Sequence, residues 1–247
     1  MRPGFYDKTA MGAGFSHNPV LVAQRDQISR WIPNVGRRLR VLDLGCGAGT
    51  TSMELFRDPD RFAVTGADVS EKALGSYVRD TANPAVRLDA QALSFATGAF
   101  DVVVSDDVVE HLVDTDAYAR EIHRVLVPDG VLLLSTPNLA AWFNRIALLV
   151  GVQPAYTEVS FEKVFGRPGD DIVGHLRLFT GASIRQFLEH HGFDILEVRG
   201  ARFAAIPSRA RPIDALAARF PKLAGNTVIV ARRRDNRMSR TRMESAS

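Results

Sequence analysis

A single cysteine, Cys46, stands in 247 residues. It cannot close an intrachain disulfide, so the fold is expected not to depend on an oxidising compartment. Long apolar runs are missing too. The longest with few charges, residues 139–152, contains Arg145 and is too short to cross a bilayer. The opening residues, Met1-Arg2-Pro3-Gly4, carry no secretory-leader pattern. No internal repeat or low-complexity stretch stands out. These absences predict a soluble, cytoplasmic protein without stable membrane insertion. Apolar residues at 46% and charged residues at 24% suit a chain that buries a core.

The folded body also lacks a net basic charge. The whole chain carries +3, yet six arginines lie in the last sixteen positions beside only Asp235 and Glu244. Removing those six from 31 basic residues and those two from 28 acidic ones leaves 25 against 26. A near-neutral body argues against a nucleic-acid enzyme, which would show a basic working face. The arginine-rich segment, 232–247, reads as a solvated tail.

What is present is an alternation of strand and helix. Asn18-Pro19 is a helix start. Residues 40–44 form a short apolar run that ends in glycines, the pattern of a buried parallel strand. Further strands are expected at 62–67, 86–88, 100–105 and 131–135, with helices at 50–57, after Ser70, and from Asp114 or Thr115 to Leu126. Pro128-Asp129-Gly130 reads as a turn. After Pro137 the rhythm breaks: an apolar helix is expected over 139–150, then a Gly-, Pro- and aromatic-rich stretch. Regularity returns with a helix near 182–191 and strands near 193–198 and 227–231. Such spacing predicts an α/β fold with a mostly parallel sheet covered on both faces. The chain divides on this reading into an N-terminal helical arm (1–36), a ligand-binding core (37–137), a cap (138–180), the C-terminal part of the sheet (181–231) and the tail (232–247).

The glycine loop at the end of the first strand carries the chemistry. Asp43-Leu44-Gly45-Cys46-Gly47-Ala48-Gly49-Thr50 lets the backbone turn tightly and lets a ligand reach the peptide groups. Asp68, twenty-three residues beyond Gly45, is placed to accept from both ribose hydroxyls of a nucleoside. A dinucleotide loop would prefer glycine where Thr50 stands, and a carboxylate at Asp43 would repel a pyrophosphate. A ligand that carries positive charge fits that carboxylate better. No Gly-x-x-x-x-Gly-Lys string is present, which excludes the usual NTPase loop.

Residues 41–50 resemble motif I of class I S-adenosylmethionine-dependent methyltransferases. Other stretches match in order: Gly66-Ala67-Asp68-Val69-Ser70, Leu88 to Phe95, and Phe100 to Asp106. Val109-Glu110-His111-Leu112 and Arg124 to Gly130 are similar to the small-molecule branch that holds ubiquinone-biosynthesis-type O-methyltransferases. Residues 174–180 extend the likeness loosely. The resemblance implies a Rossmann-like, doubly wound, seven-stranded sheet and S-adenosyl-L-methionine as cofactor. It implies that Asp43, Gly45, Cys46 and Gly47 line the methionine end of that cofactor. Asp68 would bind the ribose, Val69 would pack on the adenine, and Asp89, with Ala90 and Gln91, would meet its amino group. Ser105 and Asp106 would close the site near the sulfonium.

His111 and His175 are the candidate catalytic residues. Asp107, Glu110 and His111 resemble a cation-binding pattern of some quinone O-methyltransferases, but the site is read here as metal-free. His190 and His191 are read as structural, His123 as solvent-facing, and Tyr6 and His17 as able to fold over the site. Trp142, Phe143, Tyr156, Phe161, Phe165 and Phe179 give the cap an aromatic character that suggests an apolar or aromatic acceptor. The resulting expectation is methyl transfer to an oxygen of a small molecule, by a chain able to form a homodimer and making no nucleic-acid contact. The alternatives are N- or C-methylation on the same scaffold, an NAD-dependent oxidoreductase, and a non-catalytic cofactor-binding protein.

Overall fold

The computed structural model describes residues 18–32, 34–167, 172–203 and 205–235. The strands are β1 (Leu39–Leu44), β2 (Phe62–Asp68), β3 (Ala85–Arg87), β4 (Phe100–Asp106), β5 (Leu126–Pro137), β6 (Phe193–Ala201) and β7 (Asn226–Arg233). The helices are α1 (Pro19–Trp31), α2 (Thr50–Leu55), α3 (Glu71–Thr81), α4 (Thr115–Val125), α5 (Trp142–Leu149), α6 (Gly181–His190) and α7 (Arg211–Ala217).

Side chains alternate across a strand, and here both faces are apolar, so both must be covered. Leu42, Val103, Leu132, Leu134 and Ile229 point to one side and meet Tyr118 and Ile122 of α4 and Ile184 and Leu188 of α6. Val41, Val102, Val104, Leu133 and Val230 point to the other and meet Leu21 and Ile28 of α1 and Leu55 of α2. Burying each such side chain contributes about 1.5–3 kcal/mol before chain entropy is set against it. The sheet order is β3-β2-β1-β4-β5-β7-β6. β1 to β5 run parallel, whereas β7 is antiparallel to both β5 and β6.

That order places the site. The chain winds outward from β1 through β2 to β3, then returns to lay β4 on the free side of β1. Helices leave in opposite directions on either side of the β1–β4 boundary, and a crevice opens at the strands' carboxyl ends. Gly45 and Asp107, the residues that follow β1 and β4, stand there.

Local signals explain most elements. Asn18 caps α1 ahead of Pro19, Ser70 caps α3 through Ala73 N, and Asp114 caps α4 through Ala117 N. Four expectations are corrected. Pro128-Asp129-Gly130 does not separate helix from strand. Strand β5 already starts at Leu126, and the turn survives as a register shift against β4 with Asp129 at φ 60°. The apolar helix is shorter, Trp142–Leu149, because the Asn138 side chain is committed to the carbonyls of Pro221 and Ala224 and to Ala140 N. Helix α7 was not expected at all. His123 is also not solvent-facing: its ring is half-buried, edge-on to Phe193 at 5.4 Å. Among the described residues, no helix is long and apolar enough to cross a membrane.

One buried acid ties the segment before β1 to the sheet. Asp101 accepts from Arg37 Nη1 and Nη2 at 2.9 and 2.8 Å and from the Arg40 backbone N–H at 2.9 Å. Burial pushes its carboxyl up, but the hydrogen bonds from Arg37 and Arg40 outweigh burial and hold it well below the usual range. A carboxyl lowered on folding stabilises the native state at neutral pH, and that contribution is lost as pH falls below its unfolded value. Because both guanidinium groups are about half exposed, Asp101→Asn should cost only about 1–2 kcal/mol at neutral pH. Urea unfolding should show that difference shrinking as pH falls below about 4. An equal difference at all pH values would contradict the assignment.

Candidate functional site

A cavity of about 740 Å³ opens at the carboxyl ends of β1, β2 and β4. Its wall is built first by the loop after β1. Gly45 N and Cys46 N both donate to Ala67 O, at 2.7 and 3.1 Å, which folds the loop onto β2. Gly45 has φ 76°, and a Cβ there would collide with Val108 Cγ2, so glycine alone lets the loop approach the chain after β4. Asp68 then fixes the two segments together. Its Oδ2 accepts from Gly47 N at 3.0 Å and its Oδ1 from Ser70 N at 2.8 Å.

Gly45, Gly47, Asp68, Val69, Asp89, Ala90 and Gln91 all line this cavity, together with His111 and His175. Asp89 Oδ1 accepts from Gln91 N at 2.8 Å, while Gln91 Oε1 accepts from Asp114 N at 2.7 Å. The Asp89–Gln91 turn is thereby pinned to the cap of α4.

Asp43, Cys46, Ser105 and Asp106 are not among the residues that line the cavity. They stand behind its wall. Asp43 is 3% exposed and accepts from Ser52 Oγ at 2.5 Å, which in turn lies 3.0 Å from Tyr77 OH. Burial raises its carboxyl to about 7, against the Ser52 hydrogen bond and with help from Asp106 and Asp68. Cys46 packs with Leu74 and Tyr77, and burial pushes its thiol up, leaving it an inert small residue. Ser105 Oγ accepts from Tyr118 OH at 2.8 Å. Asp106 accepts from Gln24 Nε2 at 2.5 Å and Thr51 Oγ1 at 3.0 Å, which clamps α1 and α2 to the end of β4.

The residue after Asp106 takes the cavity position instead. Asp107 has φ 53°, an uncommon conformation for a residue with a side chain. Its Oδ1 accepts from Ser135 Oγ at 3.1 Å, and partial desolvation with the nearby Asp106 raises its carboxyl. Glu110 is fully buried, and its Oε2 accepts from Thr136 Oγ1 at 3.0 Å. Its Oε1 has no hydrogen-bond partner among the described residues, and burial pushes its carboxyl well up, reinforced by Asp107.

The segment between β5 and α6 brings in the second histidine. Glu110 O accepts from Leu176 N and Arg177 N at 2.7 and 2.9 Å. Glu158, which the sequence reading missed, accepts from the backbone N–H of Val173, Gly174 and His175 at 2.6, 2.7 and 3.0 Å. These bonds set His175 4.7 Å from His111, ring centre to ring centre. His111 Nδ1 lies 3.1 Å from Gly174 O, and His175 Nδ1 lies 3.2 Å from Tyr156 O. A carbonyl only accepts, so each Nδ1 carries the proton and each Nε2 keeps its lone pair while the ring is neutral. Burial lowers both rings, His175 to about 4 with a further push from His111. Glu110, His111 and His175 each offer one ligand atom within 4.8 Å of the others, a spacing compatible with one divalent ion.

Of the aromatic residues after β5 singled out in the sequence, Tyr156 lines the cavity, at φ 70°. Its ring lies 5.6 Å from His175 and 5.1 Å from Phe203, and Phe203 stacks on Phe143 at 5.3 Å. Arg202, Phe203 and Asn226 were missed. They reach the cavity from the β6–β7 side, where no motif marks them. His191 meets Asp116 at 2.8 Å, as a structural histidine would. Tyr6 and His17 lie outside the described residues.

The arrangement fits an adenosyl sulfonium ligand. The wall offers the carboxyl groups of Asp68, Asp89, Asp107 and Glu110, and one buried Glu110 oxygen has no hydrogen-bond partner among the described residues. Such a donor set favours a ligand that brings hydroxyls, an amino group and positive charge.

Comparison with known proteins agrees. A family model described as a methyltransferase domain matches residues 20–198. The ubiquinone biosynthesis O-methyltransferase of Sinorhizobium fredii is 34% identical over 133 residues, 49% of this chain and 53% of that protein. The 2-methyl-6-phytyl-1,4-hydroquinone methyltransferase of Synechocystis is 40% identical over 103 residues, 40% of this chain and 32% of that protein. The chain thus spans about half or less of the curated relatives it matches. Among solved structures, a Methanosarcina mazei SAM-dependent methyltransferase aligns with a TM-score of 0.60 at 19% identity, covering 84% of this chain and 97% of that one. A Haloferax volcanii chain, solved in complex with the Trm112 methyltransferase activator, aligns with a TM-score of 0.66 at 17% identity, covering 95% and 98%. At these identities the structures speak for the fold alone.

The raised carboxyl of Asp43 has a consequence for stability. A group raised on folding stabilises the native state while protonated, and that contribution is lost as pH rises through about 7. In Asp43→Asn that loss is removed. The urea midpoint of the variant should gain on the parent's as pH rises from about 5 to about 8. A midpoint difference independent of pH would contradict the burial argument.

Proposed function

The chain belongs to the methyltransferase-domain family, and from that premise we propose that it moves a methyl group from S-adenosylmethionine to an oxygen of a small aromatic or apolar acceptor. The observation that carries this reading is the pair of neutral imidazoles, His111 and His175, on the cavity wall beside Tyr156. The cofactor supplies a methyl group already activated on a sulfonium. The protein's task is to bind, orient, exclude water and take up a proton.

Asp68 holds the ribose hydroxyls, Val69 and Ala90 flank the adenine, and Asp89 with Gln91 meets its amino group. Gly45 and Gly47 face the methionine end. Asp107 and Glu110 offer acceptor oxygens at that end. Asp43, Cys46, Ser105 and Asp106 serve from behind, holding the loop and the strand ends in place. Tyr156 and Phe203 form an aromatic wall for the acceptor. His111 Nε2 takes the acceptor's hydroxyl proton, and His175, held by Glu158, orients it. Oxygen is favoured because a phenol needs only such a weak base, and the Sinorhizobium fredii relative quoted above is named an O-methyltransferase.

Methyl transfer to a panel of phenols, catechols and quinols tests this reading. O-methylated products are expected. Products methylated only on nitrogen or carbon, or none, would overturn it. Asp68→Ala should weaken S-adenosylhomocysteine binding about thirtyfold, by about 2 kcal/mol, because charged hydrogen bonds are lost. Unchanged affinity in a folded variant would remove Asp68 from the ribose.

The base must be neutral to work, and burial lowers both rings. The acid limb of kcat/KM should therefore fall below about pH 6.5, the ordinary histidine value. His111→Gln should cut kcat by about a hundredfold and leave S-adenosylhomocysteine affinity unchanged. A variant that keeps full kcat would exclude His111 as the base.

A further inference from the structure

Two neighbouring elements beside the cavity mouth expose apolar side chains that nothing among the described residues covers. On and just after α5, Leu149 is 84% exposed and Leu148 and Val150 are more than half exposed. On and just after α7, Ile213, Leu216 and Phe220 are more than half exposed as well. The two elements form one unit. Trp142 Nε1 of α5 donates to Asp214 Oδ1 of α7 at 3.1 Å, and Asp214 Oδ2 accepts from Phe203 N at 3.1 Å. Trp142 N donates to Leu223 O at 3.0 Å, and Arg145 Nη2 to Lys222 O at 3.3 Å.

The charge on this unit has one sign. Residues 202–222 hold Arg202, Arg209, Arg211, Arg219 and Lys222, all exposed, and none makes an ion pair among the described residues. The one acid in that stretch, Asp214, is 2% exposed and spent on internal hydrogen bonds. A second copy docking the same face across a two-fold axis would bring five cations against five, which is unfavourable. Exposed aliphatics interleaved with long basic side chains suit a different occupant. The apolar groups can enter the acyl boundary while the arginines reach anionic headgroups.

We propose that the α5–α7 face docks reversibly on a lipid bilayer that bears anionic headgroups. Arg202 and Phe203 line the cavity and sit in the same unit, so docking brings the cavity mouth to the lipid surface. On the methyl-transfer reading above, an apolar acceptor dissolved in the bilayer then has a short route to the site. The docking itself needs no methyl transfer, and its readout fails independently of that reading.

Flotation of the full chain with vesicles tests the proposal. At low salt the protein should float with phosphatidylcholine vesicles that contain phosphatidylglycerol, and not with phosphatidylcholine alone. Arg209→Gln, Arg211→Gln and Arg219→Gln together should lower partitioning on the order of a hundredfold. Leu149→Asp with Leu216→Asp should abolish flotation while leaving S-adenosylhomocysteine affinity unchanged, which shows that the variant is folded. No flotation of the parent, or equal flotation on both vesicle types, would overturn the proposal. Flotation that survives Leu149→Asp with Leu216→Asp would place lipid binding elsewhere, in the arginine-rich tail for example, and would also overturn it. So would a dimer, seen by light scattering without vesicles, that the same two substitutions dissolve.

Discussion

Four carboxyl groups stand at the ends of β1 and β4 or just beyond: Asp43 and Glu110 are buried, Asp106 is half-buried and Asp107 is exposed at the cavity, and none forms an ion pair with a basic side chain among the described residues. Asp43, Asp106, Asp107 and Glu110 are all pushed upward by desolvation first. Removing a carboxylate from water without a cation costs several kcal/mol. The chain limits that cost with hydroxyl and amide donors: Ser52 on Asp43, Thr51 and Gln24 on Asp106, Ser135 on Asp107 and Thr136 on Glu110. Those donors come from α1, α2 and β5. The acids therefore draw the surrounding elements together and leave a cavity whose electrostatics favour a positively charged ligand.

The same constraint shapes the backbone. The loop after β1 can lie against Val108 only because Gly45 has no side chain. Asp107 turns at positive φ, which puts its carboxyl toward the cavity while Asp106 stays behind as a clamp. On the cap side, Tyr156 is also at positive φ, and its carbonyl orients His175. Two residues with side chains in a sparsely populated conformation, both on the cavity wall, mark where local strain is retained for the sake of the site.

Much of this was readable beforehand. The parallel sheet followed from apolar runs at regular spacing, and the glycine loop with Asp68 and Asp89 followed from motif order. What sequence could not settle was which side of the wall a side chain takes. Asp43 belongs to the strand parity of Val41, which turns it toward α2 and Ser52 rather than into the cavity. Asp106 and Asp107 differ by one position, and only the φ of Asp107 decides between them. Arg202, Phe203 and Asn226 come from strands made neighbours by the antiparallel β7, far along the chain from any motif. Helix α7 is short, carries Pro212 and sits in a basic stretch, so no apolar periodicity announced it.

The central claim is that these acids build a receiver for an adenosyl ligand with positive charge, and not for a pyrophosphate. Calorimetric titration of the full chain with S-adenosylhomocysteine and, separately, with NADH tests it most directly. Binding of S-adenosylhomocysteine in the micromolar range and no heat from NADH are expected. Binding of NADH alone would contradict it and would return the glycine loop to the dinucleotide enzymes.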